Sequence, residues 1–225
     1  MKLLTLLLSS ILTTVINAAM LAADLPDGVY HAFTDENGVE THARLVNTAG
    51  GHSSPMSWTY DPRLAISNST VSPTSDLDSF PEPLEKRTCA PGYSNPSANI
   101  YCGCTFNMNP SNCDAAVADL KNQVASGSGS ITPTVGHAWY SIRGSVVAFI
   151  CEFANEGVTM HAGLITTACS QMTDRCGEYI AGTWEPRFQP GSGGGYMGFD
   201  IGYMRYSSGL DFCANALTSG QNCCA

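Results

Sequence analysis

The sequence predicts an α+β fold: a two-layer α/β sandwich with a mainly antiparallel sheet and two helices, stapled by disulfides. Three observations lead there. Helical and strand periodicities alternate along the C-terminal part of the chain, all ten cysteines lie in that part, and the region before it holds no cysteine and is rich in linker residues. Apolar faces must be buried against one another, and helices packed on one side of an antiparallel sheet do this for such a mixture of elements.

The chain opens with Met1-Lys2, an apolar run over 3–16 and then Asn17-Ala18-Ala19. A positive start, a short apolar core and small residues after it form a secretory signal, so 1–19 are expected to be removed on export. The run includes Ser and Thr and falls short of the roughly 20 apolar residues of a bilayer span, and no later segment is long and apolar enough either. Residues 20–87 read as a pro-segment. Gly28-Val-Tyr-His-Ala-Phe and Glu40-Thr-His-Ala-Arg-Leu-Val alternate enough for a small hairpin, with turn chemistry at Glu36-Asn37-Gly38. Over 53–85 Ser, Pro, Thr and Asp dominate, a flexible-linker composition that cannot bury enough apolar surface to offset chain entropy. The single glycosylation acceptor, Asn68-Ser69-Thr70, lies here. The segment ends at Lys86-Arg87, which resembles the site of kexin-type proteases. Its position after a Pro-rich linker and just before the first cysteine favours cutting there. The mature domain is then 88–225.

Within that domain, Ala116, Val117, Leu120 and Val124 recur at helical spacing over 112–124. Ser111 or Asn112 can cap this helix, Asp114 suits its first turn, and Ser126-Gly-Ser-Gly-Ser130 ends it. Residues 138–142 and 146–153 read as strands joined by a turn at Arg143-Gly144. A second helix fits 161–176, with Leu164, Ile165, Ala168, Met172 and Cys176 on one side; Cys169 and Cys176 point to nearly the same face and can staple it to neighbours. Residues 178–184 form a further strand. After the Gly-rich loop 191–195, Met197, Phe199, Ile201 and Tyr203 alternate with Gly198, Asp200, Gly202 and Met204 in the clearest strand of all.

The cysteines are Cys89, Cys102, Cys104, Cys113, Cys151, Cys169, Cys176, Cys213, Cys223 and Cys224. An even number confined to one region of an exported chain implies a disulfide framework, five bridges whose pairing the sequence leaves open. Cys102-Gly-Cys104 and Cys223-Cys224 are too close for zinc, which usually wants two or more residues between paired ligands. No metal or cofactor is expected. Net charge is −9, so the whole chain has no electrostatic case for nucleic acid. The mature part has five basic residues (Lys121, Arg143, Arg175, Arg187 and Arg205) against nine acidic ones, giving −4.

The sequence lacks a His-Glu-x-x-His helix, a Gly-x-Ser-x-Gly elbow and a P-loop. His137, Arg143 and Glu152 lie on neighbouring strands and could combine acid–base chemistry with phosphate stabilisation, as in a secreted ribonuclease. The plainer reading puts His137 at a strand edge, Arg143 in the turn and Glu152 facing solvent. Glu152 and Glu156 are a carboxylate pair only by proximity in sequence. Trp139, Trp184, Tyr140 and Tyr179 are candidates for stacking on carbohydrate, although aromatics on strands are more often core. Lys121 is expected on the solvated face of the first helix.

Asn112-Cys113-Asp114 leads into a helix with Leu120; Ser145-Val-Val-Ala-Phe-Ile-Cys151 follows, then a helix with Cys169 and Cys176-Gly177, and a late Gly-rich turn into a strand ending at Tyr206. On these elements, across roughly 102–213, the domain resembles the fungal killer-toxin-like superfamily of secreted cysteine-rich effectors. The resemblance implies an α/β sandwich and a toxin or effector without catalysis, acting on a target-cell surface protein. It implies structural roles for the matching cysteines and carries over no functional site: the superfamily's smut-fungus toxin acts on ion channels through a basic surface residue that has no clear counterpart here. The expected function is therefore that of a secreted effector or killer-type toxin. Its expected partners are a kexin-type protease and a host or competitor cell-surface protein or cell-wall glycan. A small hydrolase such as a ribonuclease, or a carbohydrate-binding or wall protein, is the alternative.

Overall fold

The computed structural model describes residue 21 and residues 25–34, 39–47, 58–60, 66–68, 93–94, 97–125, 130–132, 134–154, 158–187 and 196–218. Residues 1–19, Lys86-Arg87, 191–195, Glu156, Cys89, Cys223 and Cys224 lie outside the described residues.

The alternating N-terminal stretches form β1 (Gly28–Thr34) and β2 (Glu40–Asn47), paired antiparallel from Val29–Leu45 to Thr34–Glu40. Two short strands, β3 (Trp58–Tyr60) and β4 (Ile66–Asn68), pair with β2, so the acceptor Asn68 is the last residue of a strand. The cysteine-bearing part contributes β5 (Tyr93–Ser94), β6 (Ala98–Asn107), α1 (Pro110–Ala125), β7 (His137–Arg143), β8 (Val146–Glu152), α2 (Ala162–Cys176), β9 (Ile180–Pro186), β10 (Phe199–Arg205) and α3 (Phe212–Thr218). Cys104 lies in β6. The strands make one ten-stranded sheet in the order β3-β2-β1-β7-β8-β10-β9-β6-β5, with β4 beside β3 on β2. The pairings are antiparallel.

The layers are those of an α+β sandwich. On one face Leu120 and Val124 of α1 and Ile165 and Met172 of α2 close over Ile150, Ile201 and Trp184. On the other, Phe212 and Ala216 of α3 meet Tyr140, Phe149 and Met204, together with Leu21, Leu25 and Tyr30 from the N-terminal region. Four features differ from expectation. Two short strands, β3 and β4, form within 53–85, where a linker is expected. The expected hairpin is not set apart: β1 continues the sheet through β7. A third helix covers the second face. Helix α1 begins at Pro110, where a missing N–H is harmless, and is capped by Asn109, whose Oδ1 accepts from the Asn112 amide at 3.1 Å. Ser111 and Asn112 therefore lie inside the helix, and Asp114 falls beyond its first turn.

Two glycines are required by geometry. Gly144, in the β7–β8 turn, has φ +50°, and a Cβ there would lie 2.3 Å from Asn112 Nδ2. Gly202 of β10 lets two strands and a ring approach, because a Cβ would lie 2.5 Å from Phe149 Cζ and 2.7 Å from the Gly182 carbonyl.

Disulfides join Cys102 to Cys176, fixing the end of α2 to β6, and Cys151 to Cys213, fixing α3 to β8. Cys113 and Cys169, expected among five bridges, are unbonded. Replacing Cys151 and Cys213 together by Ser is expected to lower stability by about 2–4 kcal/mol, read from urea unfolding. Curves that coincide with those of the parent would overturn the assignment of α3 as a stapled element. Gly202→Ala is expected to destabilise by about 1–3 kcal/mol through overpacking against Phe149, checked by the same measurement.

Candidate functional site

Two surfaces carry concentrations of polar and aromatic side chains: the seam between β1 and β7, and a cleft between α1 and α2.

At the seam, β1 runs antiparallel to β7 from Gly28–Ile142 to Phe33–His137. Alternation puts Tyr30 and Tyr140 on the α3 face, where their rings stack at 5.0 Å and 10°. It puts His31 over Trp139 on the other face, at 4.7 Å and 15°. His31 Nε2 lies 2.9 Å from His137 Nδ1, so one neutral ring donates to the other. On β2, buried His42 places Nε2 2.5 Å from Glu40 Oε1 and Nδ1 2.6 Å from Tyr140 Oη, an arrangement in which the ring donates to the carboxylate and accepts from the phenol. Burial pushes the Tyr140 phenol well above its ordinary range, so it stays a donor.

The cleft has a volume of about 330 Å3. Helix α1 supplies Cys113, Asp114 and Lys121, and α2 supplies Cys169 and Thr173. Glu178 and Tyr179, in the turn after α2, complete the rim. Tyr179 has φ 57°, the only positive φ of a non-glycine residue among the described residues, and its hydroxyl donates to Asp114 Oδ2 at 3.3 Å. Burial, with Cys169 and Asp114 beside it, pushes the Cys113 thiol up to about 12. Burial raises Cys169 to about 11 against the opposing pull of Lys121. Both are therefore thiols rather than thiolates near neutral pH, and poor nucleophiles.

The alternative ribonuclease trio does not assemble. His137 and Glu152 line one cavity, but Arg143 is at the far end of β7, held by Asp119 of α1 at 2.6 Å. That cavity measures about 10 Å3, room for about one water. Glu152 is 4% exposed, so it does not face solvent. Of the aromatic candidates, Trp184 is 5% exposed and donates to Gln171 Oε1 at 2.9 Å, Tyr140 is fully buried, and Trp139 lies half-buried under His31. Tyr179 alone of the four stands at an open cleft, and Lys121 borders that cleft rather than a plain solvated face.

Sequence reasoning missed the cross-strand acids. Asp200 is completely buried, accepts from the Tyr196 hydroxyl at 3.1 Å, and is pushed well above the usual carboxylate range by burial and by Glu185. Glu185 accepts from Asn99 Nδ2 at 2.5 Å. Only the strand register brings these residues together. Among the described residues, no group of three or more His, Cys, Asp and Glu side chains could hold a metal ion, and no helix is long and apolar enough to cross a membrane. Compared with known proteins, the chain matches no protein-family model, no curated protein and no solved structure.

The seam carries a pH dependence. Burial, with His137 next to it, lowers His31 from 6.5 to about 4, and burial lowers His137 in the same direction. Between those values the unfolded chain binds more protons than the folded one, so this contribution is complete above the unfolded value and is lost as pH falls toward the folded one. Asp200 acts oppositely, because a buried acid held protonated loses stability as pH rises. The difference between the parent and His31→Phe isolates the seam. The parent is expected to lose roughly 2 kcal/mol more than the variant between pH 7 and about 4.5, read from exchange of the β1 amides corrected for intrinsic rate. Parallel losses would rule the histidine pair out as the cause.

Proposed function

We propose that the chain is the precursor of a secreted binding protein of killer-toxin or effector type, which engages a target-cell surface protein through the cleft between α1 and α2. The observation that carries this reading is Tyr179. A bulky L-residue in the left-handed region costs on the order of 1–3 kcal/mol, and such strain clusters where a side chain must be aimed. Here it sets an aromatic ring with a polar tip at the rim of a cleft large enough for a side chain or short loop of a partner. Asp114, Lys121 and Glu178 give that rim charges of both signs. This suits a polar protein epitope better than phosphate or anionic lipid.

The architecture supports the same reading. The elements on which the resemblance rests, α1, β8, α2 and β10, share one core cluster. Processing by a kexin-type protease at Lys86-Arg87 belongs to this proposal, as does export.

Oxidised protein is expected to inhibit growth of competing fungi or to provoke a response on leaf infiltration, with a reduced and alkylated control inactive. Tyr179→Gly relieves the strain and removes the ring. It is expected to keep or raise the melting temperature while losing at least about tenfold in potency, the loss expected of a peripheral hot-spot aromatic. Lys121→Glu should weaken potency without altering the melt. Full potency in Tyr179→Gly would sink the cleft as the binding site. Binding of the oxidised protein to wall glycan, with none to surface protein, would replace the partner proposed here.

A further inference from the structure

The part of the chain before the dibasic pair contains no cysteine, so no disulfide can retain it once the peptide bond is cut. Its described residues nonetheless complete the fold. The backbone of β1 occupies the edge of β7 along six paired positions. Leu21, Leu25, Tyr30 and Ala32 are buried in the same cluster as Tyr140, Phe149 and Phe212. Polar contacts reinforce the joint at three separate places. Leu21 pairs by backbone with residues 209 and 210, at 2.9 Å in each direction. The Leu25 amide donates to the Tyr206 hydroxyl at 3.0 Å, and the Gly144 amide donates to Asp27 Oδ1 at 2.8 Å.

Without this segment, β7 becomes an edge strand with a row of unpaired backbone groups, and Tyr140 and Ile142 lose their cover. Natural edge strands are protected by charge, proline or bulges. The sequence His-Ala-Trp-Tyr-Ser-Ile-Arg has none of these before its last residue.

We propose that Leu21, Leu25 and the hairpin of β1 and β2 stay seated on β7 after cleavage at Lys86-Arg87, so that the processed protein is a two-chain assembly joined by strand pairing and a shared core. The contact is a strand addition made in cis before the cut and kept in trans after it. Cutting removes only the effective concentration that the tether supplied. The proposal rests on the processing step but not on the binding function.

The test uses the full, disulfide-bonded chain, cut by a dibasic-specific serine protease at neutral pH and examined by gel filtration and native mass spectrometry. The expected result is one species holding both fragments, which separate only in denaturant. Elution of the N-terminal fragment apart from a still-folded 88–225 would overturn the proposal. If the protease fails to cut, the processing reading falls. A chain with a site-specific protease sequence in place of Lys86-Arg87 then decides retention by itself. Tyr30→Ala, which removes one ring of the Tyr30–Tyr140 stack, is expected to speed loss of the fragment about a hundredfold, as buried aromatic truncations do. An unchanged dissociation rate would count against the shared core as the retaining force.

Discussion

Strand β8 is buried at every one of its seven positions, and a strand with no solvent face needs cover on both sides. The rest of the structure can be understood as that cover. Helix α1 lies over Ala148 and Ile150, in the same core cluster as α2. The N-terminal stretch and α3 lie over Val147, Phe149 and Cys151. Because both faces are apolar, the hydrophobic pattern of β8 alone does not fix its register. Register is instead set by the tight turn at Gly144 on one side and by the Cys151–Cys213 bridge, which commits the odd-numbered face to α3.

The same requirement passes to β7. Its even-numbered residues, Ala138, Tyr140 and Ile142, share the α3 face, and burying Tyr140 completely needs Tyr30 stacked on it. Its odd-numbered residues face α1, where Ser141 and Arg143 both donate to Asp119 Oδ2. A strand so occupied on both faces has the composition of an interior strand. The hairpin of β1 and β2 is thus part of the sheet on physical grounds, whatever becomes of the peptide bond further along.

Much of this was legible in the sequence. Two helices and the strand around Ile201 follow from periodicity, and the strand around Val146 from a continuous apolar run covered on both faces. The gaps have physical causes. In β6 the run Cys102-Gly-Cys104 interrupts alternation, and its pairing with β9 shifts register between Cys102 and Asn107. Helix α3 has seven residues, too few for a helical period to stand out. The hairpin was visible, but its partner was not, since a change in cysteine content looks like a domain boundary while strand pairing leaves no mark in composition. The acids Glu185 and Asp200, like Lys121 and Tyr179, come together only through tertiary packing.

The cleft depends on the disulfide framework in a specific way. Cys176 ends α2 and is tied to Cys102 of β6, and the next residue, Gly177, takes φ 100° to leave the helix. The turn that follows is pinned by the Met108 amide, which donates to the Tyr179 carbonyl at 2.8 Å. A left-handed tyrosine persists only where its neighbours over-determine the backbone, and here a covalent anchor three residues before it and a hydrogen bond at its own carbonyl do so. Reduction of Cys102–Cys176 would remove the anchor while leaving the rim residues in place in the sequence. The aim of Tyr179, rather than the existence of the cleft, is then what the Cys102–Cys176 bridge secures.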